Sequence, residues 1–192
     1  MIGALHGTRP LRRAVTRLAL LIALMLAATA CGGESRSFGV TIGAALSDGS
    51  PLRIADVGDT RVERGGSAEH SLVFESTQAV VLDDIRWTFS AVRGRAVFAT
   101  AGHGCGPSID TESGAIQFAC TEDYRYLVVE PGKPLTETIT LYGGIEGRPV
   151  ATGRFTFRQP ITWWHFTGDP LEPRGDKGGE IVVTLTYNVR ST

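Results

Sequence analysis

The sequence predicts an all-β fold of about ten strands after an N-terminal leader, two antiparallel sheets packed face to face, with a closed barrel as the alternative. Three observations predict it. After residue 31 no apolar pattern of helical period is sustained, while short runs of period two recur. These runs are broken by Gly, Pro, Asp and Ser, the residues that turns demand. Removing residues 1–30 leaves 162 residues, enough for one well-filled core.

Phe38 to Leu46 (FGVTIGAAL) is the first expected strand, ended by the turn Ser47-Asp48-Gly49-Ser50-Pro51. Leu52 to Val57 is a second short run, and Glu63-Arg64-Gly65-Gly66 reads as a turn. His70 to Phe74 alternates, with Leu72 and Phe74 on one face. The most regular alternation lies in Ile85 to Ala91, with Ile85, Trp87, Phe89 and Ala91 expected inward and Arg86, Thr88 and Ser90 outward. Arg93-Gly94 turns the chain into Ala96 to Ala101, and Gly102 to Pro107 reads as a glycine-rich loop. Ile116, Phe118 and Cys120 are expected inward after a Ser113-Gly114 turn, and Tyr126 to Val129 is a strand stopped by Pro131-Gly132. Leu135, Ile139 and Leu141 share a face with Glu137, opposite Thr136, Thr138 and Thr140. After the turn Tyr142 to Gly147, the alternation of Arg154 to Arg158 runs up to Pro160. Ile161 to Phe166 (ITWWHF) is a separate aromatic run, Gly168 to Gly179 a charged loop, and Glu180 to Val189 the closing strand.

The leader is organised by charge and apolarity. Arg9, Arg12, Arg13 and Arg17 precede an uninterrupted apolar run, Leu18 to Leu26, and then Ala27, Ala28, Thr29 and Ala30. This is the layout of a secretory signal peptide over residues 1–30, and the apolar run is shorter than the ~20 residues of a membrane span. Cys31 follows the small residues, and the segment ending at Cys31 resembles the lipobox of bacterial lipoproteins. Thr29 and Ala30 fit that pattern, whereas Ala28 stands where a larger aliphatic residue is usual. The resemblance implies cleavage before Cys31, lipid on its sulfur, a palmitate-type anchor at the extracytoplasmic face of the cell membrane and a short tether over residues 31–37. Plain secretion, with no lipid on Cys31, is the alternative.

Composition narrows the function. Without the leader the nineteen basic residues fall to fifteen against twenty acidic ones, a formal charge of −5, which gives no electrostatic footprint for nucleic acid. Both methionines, Met1 and Met25, lie in the leader, so no thioether remains to carry copper. With Cys31 lipidated, Cys105 and Cys120 form an even pair in an oxidising compartment and are expected to be a structural disulfide. No Cys-x-x-Cys is present. His70, His103 and His165 are scattered and carry no metal-binding spacing. Asp83-Asp84, Asp110 with Glu112, and Glu122-Asp123 lack the spacing of a calcium loop. Arg174-Gly175-Asp176 reads as a solvated turn.

One block carries a second resemblance. AVFATAGHGC from Ala96, GAIQFACT from Gly114 and LVVEPGKPLTETITL from Leu127, with VERGGSAEHSLVFE from Val62, together resemble the immunoglobulin-like repeat modules of bacterial surface proteins. The likeness covers residues 53–142 as a single copy. Ser76-Thr77-Gln78 replaces the modules' usual Asn-rich turn, and Gly143 to Thr192 is an unmatched tail. It implies an immunoglobulin-like antiparallel β-sandwich over residues 38–192 with a structural or adhesive role and no catalytic site.

The expected function is therefore a non-catalytic binding or scaffolding module of the cell envelope, with no cofactor and no metal. Its partners are the membrane, through Cys31, and an envelope protein or glycan. Trp163 and Trp164 are the candidate contact residues. Successive strand residues point to opposite faces, so at least one aromatic pair of this run is expected in the core. A glycan-binding platform on the other face is the alternative to core packing or sheet-edge cover. No G-x-S-x-G, P-loop, H-E-x-x-H or G-x-G-x-x-G motif occurs. An envelope hydrolase built on two carboxylates remains the alternative from another class, because such pairs have no spacing signature.

Overall fold

A computed structural model of the chain describes residues 37–55 and 57–192. The leader, Cys31 and the tether up to residue 36 lie outside the described residues. Thirteen strands occur, and no helix is present among the described residues. They are β1 (Ser37–Leu46), β2 (Leu52–Ile54), β3 (Thr60–Glu63), β4 (Ser67–Ser76), β5 (Val80–Leu82), β6 (Phe89–Arg93) and β7 (Ala96–Ala101). There follow β8 (Cys105–Ile109), β9 (Ile116–Cys120), β10 (Leu127–Val129), β11 (Leu135–Tyr142), β12 (Gly153–Phe166) and β13 (Arg174–Ser191). One antiparallel sheet runs β10-β5-β12-β13-β1-β3, a second β2-β4-β11-β7-β6, and β8-β9 forms a separate hairpin.

The core lies between the two large sheets, which curl around it. Val40 and Ile42 of β1, Phe155 and Phe157 of β12, and the alternate residues Ile181 to Val189 of β13 meet Leu72 and Phe74 of β4, Phe98 of β7 and Ile139 and Leu141 of β11. Phe98 stacks on Phe155 with ring centroids 4.9 Å apart, across the two sheets. Tyr187 is fully buried, and its hydroxyl meets Nε2 of the buried His70 at 3.0 Å. This polar pair spans the core from β13 to β4.

Several expectations change here. Ile85 and Trp87 are buried as the alternation required, but residues 83–88 are not a strand. Trp87 takes a left-handed backbone with φ of 50°, so β6 begins only at Phe89. The carbonyls of this segment are satisfied from β7 and its end instead. Thr100 Oγ1 donates to Trp87 O at 3.1 Å, and Gly102 N donates to Arg86 O at 2.7 Å. Val80-Val81-Leu82 is a strand that period-two reading misses. β5 lies between β10 and β12 and is buried on both faces, so it reads as a plain apolar run. The predicted Gly102–Pro107 loop already becomes strand at Cys105.

The largest difference concerns Pro160, expected to end a strand. β12 instead runs unbroken for 14 residues. Pro160 pairs opposite Val182 of β13, and on its other side β12 meets no strand until Trp163 pairs with Leu82. A proline facing an open edge forfeits no ladder hydrogen bond. β13 likewise begins at Arg174, well before the expected Glu180. A register shift places Trp163 opposite Gly179 and Trp164 opposite Lys177, so Gly178 is the bulged residue. The Trp163 ring lies directly over Gly178, where any Cβ would overlap it. The tail beyond Gly143 therefore supplies β12 and β13, the central strands of the larger sheet. The block 53–142 cannot close a core without them.

Cys105 and Cys120 stand opposite one another in the β8–β9 ladder and are joined by a disulfide. Ile109, Ile116 and Phe118 of this hairpin pack on Val97 and Ala99 of β7 and on Ile145. Asp110 caps its turn, accepting from Ser113 N and Ser113 Oγ, both at 2.6 Å. These bonds hold the Asp110 carboxyl below its usual range. A disulfide closing a loop of 15 residues is worth about 3 kcal/mol through the unfolded chain. The Cys105→Ala/Cys120→Ala protein should lose stability of that order in urea unfolding, with hydrogen-exchange protection falling first across 105–120.

Burial lowers the pKa of His70 from 6.5 to about 4, with a backbone interaction of Ser71 working the other way. A folded pKa below the unfolded one means stability is complete above pH 6.5 and is lost as the pH falls toward 4. The loss from this group should be about 3 kcal/mol. Urea midpoints between pH 7 and 4 check this, and an NMR titration should find the His70 ring still neutral at pH 5.

Candidate functional site

β7 pairs with β11 only over Ala99–Ala101, opposite Thr140–Tyr142. Beyond Ala101 the chain turns away at Gly102, where the backbone of Arg86 and the Trp87 ring approach too closely for a Cβ. The first half of β11 is thereby left open on that side. A cleft of about 580 Å³ occupies the opening, lined by Glu69, His103, Arg125, Thr136, Glu137 and Thr138 among others.

Glu137 sits in the inward phase of β11 and is 1% exposed. Arg125 Nη2 donates to both of its oxygens at 3.2 Å, while Arg125 Nε lies 3.4 Å from Asp84 Oδ1. Asp84, also nearly buried, pairs through its other oxygen with Arg86 Nε at 2.9 Å, and Arg86 Nη2 donates to the carbonyl of Asp123. Two arginines and two carboxylates thus form one neutral chain of ion pairs, Arg86–Asp84–Arg125–Glu137. Burial raises the Glu137 pKa above the usual carboxylate range. Arg125, the nearby Trp87 indole and His103 oppose that rise, and Asp84 adds to it. The Trp87 N–H faces this carboxylate without reaching hydrogen-bonding geometry. Chemically, the arrangement can hold a carboxyl at the floor of a polar cleft, with its lone pairs already engaged by Arg125.

The same ion pairs fix a second feature. Residue 125 points into the network, and its neighbours Tyr124 and Tyr126 form an edge-to-face pair with centroids 5.5 Å apart. The Arg174 guanidinium lies 4.7 Å from the Tyr126 ring centre and 5.0 Å from that of Trp164. Its Nη1 is 3.6 Å from Asp83 Oδ1, an ion pair too long for a hydrogen bond. Burial and Asp83 push the Tyr124 hydroxyl up to about 12. Tyr124 is 58% exposed, and Leu171, in the turn closed by the Phe166–Arg174 pair, is 91% exposed.

The two candidate tryptophans separate. Trp163 is 8% exposed and belongs to the core, so it is not available as a contact residue; this corrects the expectation for that position. Trp164 is half-buried, on the opposite face, within the Tyr126–Arg174 cluster. Arg174-Gly175-Asp176 is not a free turn but the opening of β13, and Arg174 is held between two rings. Of the histidines, His70 is in the core, His103 is exposed beside the cleft and His165 is exposed on β12. No group of three or more His, Cys, Asp or Glu side chains placed to hold a metal occurs among the described residues. Arg125, Tyr124, Tyr126 and Arg174 were not among the residues expected at a site. The available signals were an acidic residue in the inward phase at Glu137 and the Tyr-Arg-Tyr alternation of 124–126.

No protein-family profile matches the chain, and no curated protein and no solved structure is significantly similar to it.

Replacing one partner of a buried ion pair strands the other. Arg125→Met should cost about 2 kcal/mol, below the ~3–5 kcal/mol of a fully buried pair because Arg125 is itself half exposed. Adding Glu137→Leu should recover most of that loss. Urea unfolding of the two single variants and the double variant measures the coupling.

Proposed function

We propose that the chain is a lipid-anchored extracytoplasmic module with an immunoglobulin-like β-sandwich, working in the cell envelope by binding rather than by catalysis. Cys31 would carry the lipid, and the tether of residues 31–37 would place the domain near the membrane. A disulfide-bearing all-β domain suits an oxidising compartment. The observation that carries the binding role is the clustering of exposed apolar side chains. Four large hydrophobic residues are exposed among the described ones, and two of them, Tyr124 and Tyr126, pack edge to face beside Arg174, which also lies over Trp164. Tyr, Trp and Arg held rigid at a surface are the side chains that dominate recognition.

The hydrolase reading draws on the raised pKa of Glu137 in a cleft that Glu69 also lines. Against it, Arg125 donates to both Glu137 oxygens and favours the carboxylate form. Incubation of the purified protein with cell-wall polymer separates the two. Release of soluble sugar, abolished by Glu137→Gln, would establish catalysis and displace the binding role.

The anchor is tested by detergent phase partition of exported protein. The wild type should enter the detergent phase and label with palmitate, and Cys31→Ser should move to the aqueous phase. A Cys31→Ser protein that remained membrane-bound would show that the anchor lies elsewhere.

A further inference from the structure

The aromatic cluster has a defined place relative to the point where the tether enters. β13 runs for 18 residues from Arg174 to Ser191. Its last residue pairs with Phe38, and Thr192 N donates to the carbonyl of Ser37, the first described residue. Arg174 is at the other end. At about 3.3 Å per residue the two ends of β13 are roughly 55 Å apart, less the effect of bulges and twist. The six steps from Cys31 to Ser37 reach at most about 20 Å.

We propose that Tyr124, Tyr126, Trp164 and Arg174 form a binding site for a neutral, polyhydroxylated glycan of the cell envelope, presented at the end of β13 remote from the tether. Its display role rests on the anchored-module reading above. Its ligand chemistry rests on the site alone. Arg174 carries five N–H donors and has no side-chain hydrogen bond among the described residues, while Tyr126 and Trp164 hold its plane in place. Fixed donors of this kind suit the hydroxyl and ring oxygens of a sugar. Asp83 already balances the Arg174 charge, so the site gains little from an anion and favours a neutral acceptor. Tyr124 offers an exposed ring whose electron-rich face accepts the C–H groups of a pyranose. A stable protein interface takes about 800 Å² from each partner, the area of roughly 20–30 residues, whereas this cluster is four side chains.

The network behind the site makes it rigid. Arg86 holds the carbonyl of residue 123, and Asp84 and Glu137 hold Arg125, so the backbone on both sides of Tyr124 is fixed before ligand arrives. Preorganisation of this kind limits the ordering cost of binding.

The test uses full-length protein extracted from membranes in detergent. The probes are the tetrasaccharides cellotetraose, mannotetraose and chitotetraose, with tetragalacturonate as the anionic comparison. Calorimetric titration should find a submillimolar Kd for at least one neutral probe, with tetragalacturonate binding no tighter. Tyr124→Ala and Arg174→Gln should each weaken it about tenfold, at an unchanged thermal midpoint. Should Arg174→Gln lower the midpoint, Tyr124→Ala carries the test, since that ring is mostly exposed. Absence of binding by all three neutral probes, binding indifferent to Tyr124→Ala, or tighter binding of the anionic probe would overturn the site. Partition of the same preparations keeps the two readings apart. Protein that binds a tetrasaccharide but enters the aqueous phase refutes the anchor alone. Protein that enters the detergent phase and binds no tetrasaccharide refutes the glycan site alone.

Discussion

The ladder between β12 and β13 is the interaction on which the rest depends. It joins Gly153 to Val189 at one end and Phe166 to Arg174 at the other. On its inner face Phe155, Phe157 and Ile161 stand beside Ile181, Val183, Leu185 and Tyr187, which form the middle of the core. β1 is added on one side and β5 on the other, so the larger sheet grows outward from this pair. The smaller sheet is then held by what the ladder presents to it, through the Phe98–Phe155 stack and the Tyr187–His70 hydrogen bond. The pair also reaches continuously from the N-terminal end of the described chain to the aromatic cluster.

A ladder of this length leaves exposed edges, and the chain manages them with few residues. Arg93 donates to the carbonyls of Thr152 and Arg154 at 2.9 and 3.1 Å and lies over the Phe155 ring, closing the start of β12. Pro160 removes a donor farther along the same open edge. The bulge at Gly178 lets the Trp163 ring turn into the core without breaking the pairing. With Trp163 turned inward, Trp164 stands on the outer face, where Arg174 reaches it.

How much of this was legible depended on how many faces of an element are wet. β1, β11 and the second half of β13 have one dry face and one wet face, and their alternation gave them away in the residues Val40 and Ile42, Ile139 and Leu141, and Val183 to Val189. β5 is dry on both faces and showed no alternation to find. Residues 85–91 misled for the opposite reason: Ile85 and Trp87 are buried through a loop whose spacing imitates a strand. The Cys105–Cys120 pair is the expectation reached by setting Cys31 aside, and the disulfide is present across the β8–β9 ladder. The site was readable in part. Trp164 lay within an obvious aromatic run, but its partners Tyr126 and Arg174 are about 40 and 10 residues away in sequence. They meet only because β5 joins β10 to β12 and the hairpin folds β13 back. No local pattern records such a meeting.

Of the two local signals, the more telling is the carboxylate in the core phase of β11, which asks for a buried partner. An Arg86–Asp84–Arg125–Glu137 chain is an expensive way to fill this space, since desolvating the two carboxylates offsets much of the attraction they gain. Apolar residues of the same volume would hold the sheets together at least as well. What apolar residues would not do is fix direction. An ion pair to Glu137 on one side and Asp84 on the other sets where Arg125 lies, and hence which way the neighbouring tyrosines project. Arg86 repeats the constraint nearby, at the carbonyl of residue 123. The network therefore contributes position more than stability, and the position it fixes is that of the exposed rings. Cleft and platform share this network: the opening beside β11, left where β7 turns away at Gly102, is lined by the same Arg125 and Glu137 that aim Tyr124 outward.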